Sequence, residues 1–394
     1  MADLKHPRLF IRSYLSFEEC KELEFIHKSS STVGYRPNVF STTISHLIAT
    51  NSSHLIMPLI PIRERLKDKL EEFFGCEYEL FVEFTGLISW CKGASIGWHS
   101  DNNRPYLRQR DFAAVCYLNS CGRDFNGGFF HFQDGEPTTV MPMAGDVLMY
   151  TADNRNIHSV DEITDGERLT LTLWFSRDAS HDEDVKLISL FSNNLLHSSV
   201  PDSCIPLPAS NNMYWFSQDQ ASDELLGFNI CWARLHVLGY DVYLAQDNNC
   251  DSDASLLLIE PLRLARGTEL LDHEFVNILH ALQVVHFYCW KASALQSFKV
   301  RVGTSKIVEL SKSQAEKVSD LKSLLLKDTE LAETIFYSLT CRENELHCFD
   351  WTNFVAAIAA WEDYAWKLRK EIRSSLAYWR AHQSLYNVQS DKRL

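Results

Sequence analysis

Trp98-His99-Ser100-Asp101, Asp124-Phe125-Asn126-Gly127-Gly128-Phe129, Asn156-Ile157-His158-Ser159-Val160-Asp161 and Gly166-Glu167-Arg168-Leu169-Thr170-Leu171-Thr172-Leu173-Trp174-Phe175 succeed one another between Gly97 and Arg177. The last segment alternates cleanly. Arg168, Thr170, Thr172 and Trp174 share one side of a strand, and Leu169, Leu171, Leu173 and Phe175 the other. A polar face on so apolar a strand is expected to line a cavity. His99 and Asp101, two residues apart, point the same way if they lie on a strand. An isolated H-x-D arises by chance in a chain of this size, so the weight falls on residues further down the chain. His158 comes several strands later, and Arg168 ten residues after that. Two imidazoles and one carboxylate on one face of an octahedral ion leave three positions open, the arrangement of non-haem Fe(II) sites. A fixed guanidinium nearby offers a planar fork to a distant carboxylate. The competing reading is a polar barrel interior that holds no ion.

Around this stretch the pattern is of short strands: Tyr78–Trp90, Phe112–Leu118, Phe129–Phe132, Thr138–Val140, Asp146–Tyr150 and Arg168–Phe175. Turn chemistry separates them at Lys92-Gly93, Asn126-Gly127-Gly128, Asp134-Gly135-Glu136-Pro137, Ala144-Gly145-Asp146 and Asp165-Gly166. Such spacing means a sandwich or an open barrel. Upstream, Leu9-Phe10-Ile11 reads as a strand. Ser16 and Glu19 form a capping-box pattern ahead of Cys20, Leu23 and Ile26 on one helical face. A second helix spans roughly Ile62 to Phe74, with Ile62, Leu66, Leu70 and Phe73 in register and Gly75 past its end. Residues 41–53 are weakly patterned.

The composition shifts between about His197 and Ser222, where Pro201, Pro206 and Pro208 sit among Ser, Asn and Asp. Beyond this the chain reads as helical. Leu271, Phe275, Ile278, Leu282, Val285 and Cys289 form one seam, and Phe354, Ile358, Trp361, Ala365, Leu368 and Ile372 another. Asp247–Asp253 reads as a polar loop. The expected organisation is an α+β domain over 1–196 with its β-core at about 78–178, a linker at 197–222, and a mainly helical region over 223–394. The seams are most simply a core; a partner-binding helix pair is the alternative.

The chain has 394 residues, a hydrophobic content of 45% and a formal net charge of −14. That balance argues against a surface made for nucleic-acid phosphates or anionic lipid. No apolar run approaches bilayer length. The eleven cysteines lack C-x-x-C pairs, and no leader pattern precedes the first strand, so a reducing cytosol or nucleus is expected.

The order H-x-D, F-x-G-G-x-F, G-D-x-L, H-x(9)-R and a strand ending L-W-F resembles the Fe(II)- and 2-oxoglutarate-dependent dioxygenases, in their prolyl hydroxylase branch. Asp124-Phe125-Asn126-Gly127-Gly128-Phe129-Phe130-His131-Phe132 matches that family's D-F-x-G-G-x-F-x-F segment. Arg168, with Leu173-Trp174-Phe175-Ser176-Arg177-Asp178, resembles the prolyl 3-hydroxylase (leprecan-like) group more than the 4-hydroxylases, which usually carry Lys there. The resemblance covers about Phe10 to Asp178.

It implies a double-stranded β-helix (jelly roll) with Fe(II) held by His99, Asp101 and His158. It also implies 2-oxoglutarate with its far carboxylate on Arg168, helped by Thr170 or Thr172. O₂ would convert that co-substrate to succinate and CO₂ while a prolyl residue of a protein or peptide substrate is hydroxylated, with ascorbate keeping the iron reduced. Trp90 departs from the pattern, standing where relatives usually have Tyr beside the co-substrate; Tyr117 is the residue expected to compensate, with core packing as its ordinary role. Trp98, Tyr106, Arg155 and Trp174 are candidates for gripping a peptide, or else packing and rim. His131 reads as a residue supporting the site or a hydrogen-bonded strand position, and His181 as part of a solvated acidic face. His347 and Cys348 have no partner pair to complete a zinc site.

A nucleic-acid demethylase is the rival within oxygenases. That group carries a second Arg where this chain has Trp174, and the acidity of the chain also counts against it. The rival outside enzymes is an inactive oxygenase fold serving as an adaptor through its helical region. Intact His99, Asp101, His158 and Arg168 argue against it.

Overall fold

The computed structural model describes residues 5–30, 32–36, 38–49, 52–197, 236, 237, 283, 286, 287, 290, 291 and 351–388. Among these, thirteen strands form two sheets. The larger runs in the order β1 (Arg8–Ile11), β10 (Val147–Thr151), β6 (Phe112–Tyr117), β12 (Ile163–Ser176), β4 (Phe81–Cys91), β3 (Val39–Thr43), β2 (Thr32–Arg36), β13 (His236–Val237), with β7 (Phe125–Gly127) pairing separately with β12. The smaller runs β5 (Ile96–His99), β11 (His158–Val160), β8 (Phe130–Phe132), β9 (Thr139–Val140). Every pairing is antiparallel except β13 with β2. This two-sheet core agrees with the expected α+β jelly roll.

Strand alternation divides the burial into two cores. Ala114, Cys116 and Leu118 join Val147, Met149, Leu169, Leu171, Leu173 and Phe175 behind the larger sheet, against the helices. Ala113, Val115 and Tyr117 face the other way, packing with Phe130, Phe132, Val140 and Val160 of the smaller sheet and with Leu148 and Tyr150. The polar positions of β12, at 168, 170, 172 and 174, therefore open into the space between the sheets, as their alternation implies.

Helix α1 (Phe17–Ser29) begins with the expected capping box: Ser16 and Glu19 each bond the other's backbone N–H, at 3.2 and 2.8 Å. Helix α3 (Leu59–Phe74) starts three residues before the expected point and ends on Gly75, whose φ of 62° is the left-handed conformation glycine adopts freely. Of residues 41–53, weakly patterned in sequence, the described ones complete β3, form helix α2 (Ile44–Ala49) and begin a 3₁₀ turn at Ser53. Buried Thr42, Thr43, His46 and Ser52 explain why the apolar period is hidden there. Asp165-Gly166 is not a turn. It lies inside β12 at a register irregularity opposite β7, with Gly166 at φ 75°.

Helices α4 (Glu183–His197) and α5 (Trp351–His382) come after the core. Trp361, Ala365, Leu368 and Ile372, from the expected second seam, are buried in the same cluster as Leu23 and Ile26 of α1. The side chains of Phe354 and Ile358 lie outside the described residues, as do the linker beyond His197, the seam from Leu271 to Cys289, Asp247–Asp253, His347 and Cys348. Polar ties fasten α5 and the segment after it. Tyr364 donates to Glu22 at 2.8 Å, and the backbone N–H groups of Leu385 and Asn387 donate to Asp184 and Glu64 at 2.7 and 3.1 Å.

Candidate metal centre

His99 and His158 are cross-strand partners on β5 and β11, with ring centroids 4.3 Å apart. Asp101 lies in the turn beyond β5 rather than on the strand, so same-side alternation does not place it. Its Oδ1 stands 3.8 Å from His99 Nε2 and 3.7 Å from His158 Nε2. One ligand atom from each residue lies within 4.8 Å of the other two. The imidazoles are oriented alike: His99 Nδ1 bonds Gly97 O at 2.8 Å and His158 Nδ1 bonds Asn156 O at 2.9 Å. A carbonyl only accepts, so Nδ1 carries the proton, and in the neutral ring Nε2 keeps its lone pair toward Asp101.

The supports of this trio are buried. Asn156 is pinned by donation to Pro7 O at 3.0 Å and Thr151 Oγ1 at 2.8 Å. Phe130 stacks on the His158 ring at 4.7 Å. Tyr150 donates its hydroxyl to Asp101 Oδ2 at 2.9 Å. Burial alone would raise the Asp101 carboxyl, but His158, His99 and Arg110 outweigh it and hold it below the usual carboxylate range. Burial pushes the His158 imidazole down to about 4, against the opposing pull of Asp101. At neutral pH the centre therefore offers a carboxylate and, from His158, a neutral imidazole, the forms a divalent cation binds.

Arg168 is 2% exposed, directly opposite Trp90 on β4. Its guanidinium carbon lies 5.6 Å from the Trp90 ring and 5.3 Å from the Tyr117 ring. Among the described residues no acid stands within 4.0 Å of it, and its Nε has no hydrogen-bond partner. Thr170 and Thr172 are buried beside it on the same strand face, their hydroxyls 3.4 Å apart. A buried cation without a counter-charge is costly unless an anion completes it. The donor set thus fits a divalent metal, and the guanidinium fits the carboxylate of a second ligand.

The double glycine sets this pocket's wall. Both residues adopt positive φ, 81° at Gly127 and 65° at Gly128. A Cβ on Gly127 would overlap the Glu162 carbonyl, and one on Gly128 would overlap Ile163 and approach Arg168 Cδ to 3.2 Å.

The remaining candidates are spread out. Trp98 is 58% exposed beside His99. Trp174 shares the inner face of β12, sandwiched between Phe84 at 4.7 Å and the Arg110 guanidinium at 3.7 Å. Arg155 is exposed and paired with Asp153 at 2.7 Å, and Tyr106 is half-buried in a 3₁₀ turn. His131 bonds Asp161 at 2.8 Å and Thr139 at 3.0 Å on the smaller sheet. His181 lies 3.8 Å from Asp178. Sequence reasoning passed over Tyr150, Asn156 and Phe130. The shared facing of Leu148 and Tyr150 along β10 was the only available signal for the first.

Residues 86–176 match the 2OG-Fe(II) oxygenase superfamily. Over that stretch the chain is similar to the 2OG-Fe(II) oxygenases. The chain is 26% identical to prolyl 3-hydroxylase 1 of Gallus gallus over 222 residues, covering 45% of this chain and 30% of that protein. It is 26% identical to prolyl 3-hydroxylase 2 of Homo sapiens over 219 residues, with the same shares covered. The chain thus spans about a third of the length of these relatives. Over 85 residues it is 33% identical to human 2-oxoglutarate and iron-dependent oxygenase domain-containing protein 3, covering 21% of this chain and 27% of that protein. A prolyl-4-hydroxylase structure from Pseudomonas putida superposes with a TM-score of 0.36 at 17% identity, over 44% of this chain and 94% of that one. His99, Asp101, His158 and Arg168 all fall inside the matched residues. Among the described residues no helix is long and apolar enough to cross a membrane.

Proposed function

We propose that the chain hydroxylates prolyl residues of a protein or peptide, at the 3-position, using Fe(II), 2-oxoglutarate and O₂. One observation carries this reading. A two-histidine, one-aspartate cluster lies close enough to a buried guanidinium for Arg168 to lower the His158 imidazole, and that guanidinium has no acid partner among the described residues. His99, Asp101 and His158 would hold the metal, and Arg168 the distal carboxylate of the co-substrate, with Thr170, Thr172 and Tyr117 around it and Trp90 as its wall. Bound iron and 2-oxoglutarate supply the oxidising power for C–H hydroxylation, with release of succinate and CO₂. The protein orients the ligands through the Nδ1–carbonyl bonds, fixes the co-substrate by charge and shape, and surrounds it with apolar side chains that keep water out. Exposed Trp98 is the side chain we assign to the peptide, by stacking on a prolyl ring, whereas both faces of Trp174 are taken by Phe84 and Arg110. Ascorbate serves as the reductant that restores Fe(II). The prolyl 3-hydroxylase relatives support this choice of substrate class.

The test is direct. Purified protein with Fe(II), 2-oxoglutarate and a proline-rich peptide library should release succinate and add one oxygen atom to a prolyl residue, with tandem mass spectrometry locating the carbon. His99→Ala and Asp101→Ala should abolish both. Wild-type protein that binds iron but turns over no 2-oxoglutarate with any peptide would refute the proposal.

A further inference from the structure

We propose that Tyr150 is a positioning residue that confines Asp101 to a one-oxygen contact with the metal, an inference that rests on the metal-dependent function above. A carboxylate beside a cation can give it one oxygen or two. Here the two oxygens are already differentiated: Oδ1 faces both histidine Nε2 atoms, while Oδ2 accepts the Tyr150 hydroxyl at 2.9 Å. The hydroxyl cannot easily leave. Tyr150 is 2% exposed, and its ring packs against His158 at 5.0 Å, Phe132 at 5.6 Å and Phe130 at 5.8 Å. Its backbone lies in β10, paired on both sides by β1 and β6.

The consequence is one of counting. Two imidazoles and a single carboxylate oxygen would occupy three of the six positions of an octahedral ion, leaving three. A keto acid chelating through two atoms would take two of these, and O₂ would need the last. If Oδ2 also bound the ion, that last position would be lost. Asp101 lies in a turn rather than on a strand, so backbone geometry alone does not fix its rotation. The hydrogen bond from the rigid β10 ring supplies the constraint, in the manner of outer partners that orient metal ligands elsewhere.

The experiment compares wild type with Tyr150→Phe, which keeps the ring and removes only the hydroxyl. Co(II) is titrated into each full chain, and the visible spectrum is read for coordination number. Nitric oxide, as an O₂ surrogate, is then bound to the Fe(II)–2-oxoglutarate complex and followed by electron paramagnetic resonance. The expected result is a changed Co(II) spectrum, with metal or nitric oxide affinity reduced by about 10- to 100-fold. A wild-type spectrum with both affinities within twofold would overturn the proposal. If Tyr150→Phe does not fold, a crystal structure of the wild type with Ni(II) decides: one Asp101 oxygen on the ion and the other on Tyr150 supports it, and both on the ion overturns it. Wild-type protein that binds no metal would instead refute the proposed function, and this inference with it.

Discussion

Arg168 and Trp90 face each other across the β4–β12 ladder, with the guanidinium carbon 5.6 Å from the indole ring. The pair leaves a buried positive charge without an acid among the described residues, which costs the resting fold and serves an incoming anion. Replacing Arg168 by Met should therefore separate stability from binding. The melting temperature of the metal-free protein should stay level or rise. Affinity of the metal-loaded protein for 2-oxoglutarate should fall about ten- to a hundredfold, since hydrogen bonds to a charged group are worth roughly 1.5–3 kcal/mol. Calorimetric titration with 2-oxoglutarate measures this, and an affinity within twofold of wild type would remove Arg168 from the pocket.

Gly127 and Gly128 should respond differently to the same substitution. Both have positive φ, so alanine at either costs about 1–2 kcal/mol from conformation alone. At Gly127 the new Cβ meets the Glu162 backbone, which cannot step aside; at Gly128 it meets the end of the Ile163 side chain and the Cδ of Arg168. Gly127→Ala should be the more destabilised variant by urea denaturation. Gly128→Ala should fold, bind metal like wild type, and lose several-fold in 2-oxoglutarate affinity because Arg168 is displaced. Equal effects of the two on stability and binding would contradict this reading.

Much of this site was legible because its residues lie on regular strands. The alternation of Arg168, Thr170, Thr172 and Trp174 is a property of period two, and β12 realises it between Arg168 and Trp174. His158 and His99 could be suspected but not paired, because their register depends on a bulged strand pair that sequence does not reveal. Asp101 was expected to share a strand with His99; it occupies a turn instead, and a tyrosine 49 residues away holds it. Strands β2, β7 and β11 carry no clear strand signal for a related reason: they are short, and β11 carries a polar ligand where an apolar residue would have marked a strand. The attachment of α5 was equally invisible. Its seam identifies an apolar face, but a packing partner as remote as α1 leaves no local mark.

Arg63 of α3 joins four segments through one guanidinium. It donates to Thr85 Oγ1 at 2.9 Å, Glu183 Oε1 at 2.9 Å and Asp184 Oδ1 at 2.6 Å, and Asp184 in turn accepts the Leu385 N–H at 2.7 Å. Arg63→Met would leave two buried carboxylates without a cation, a loss of roughly 3–5 kcal/mol for broken buried pairs. Urea unfolding should show that loss. Limited proteolysis should show the segment after α5 cut sooner, while the metal cluster, on other strands, keeps its affinity in the folded fraction. Unchanged stability would mean that Glu183 and Asp184 find other partners.

Glu183 makes this junction sensitive to pH. Burial pushes its carboxyl up to about 7, with Arg63 and Thr85 opposing and Asp184 adding to the rise, because one guanidinium serves two acids. The folded protein therefore binds this proton more tightly than the unfolded chain does. The resulting stability is fully present below the ordinary glutamate value of 4.5 and is lost as pH rises toward about 7. Over that window the loss from this one group is about 3 kcal/mol at 1.36 kcal/mol per pH unit. Glu183→Gln keeps the shape and removes the titration, so wild type should lose more stability than the variant between pH 5 and pH 8. Chemical denaturation at both pH values is the measurement. Parallel pH profiles would place the Glu183 proton affinity at its ordinary value and Arg63 as its full counter-charge.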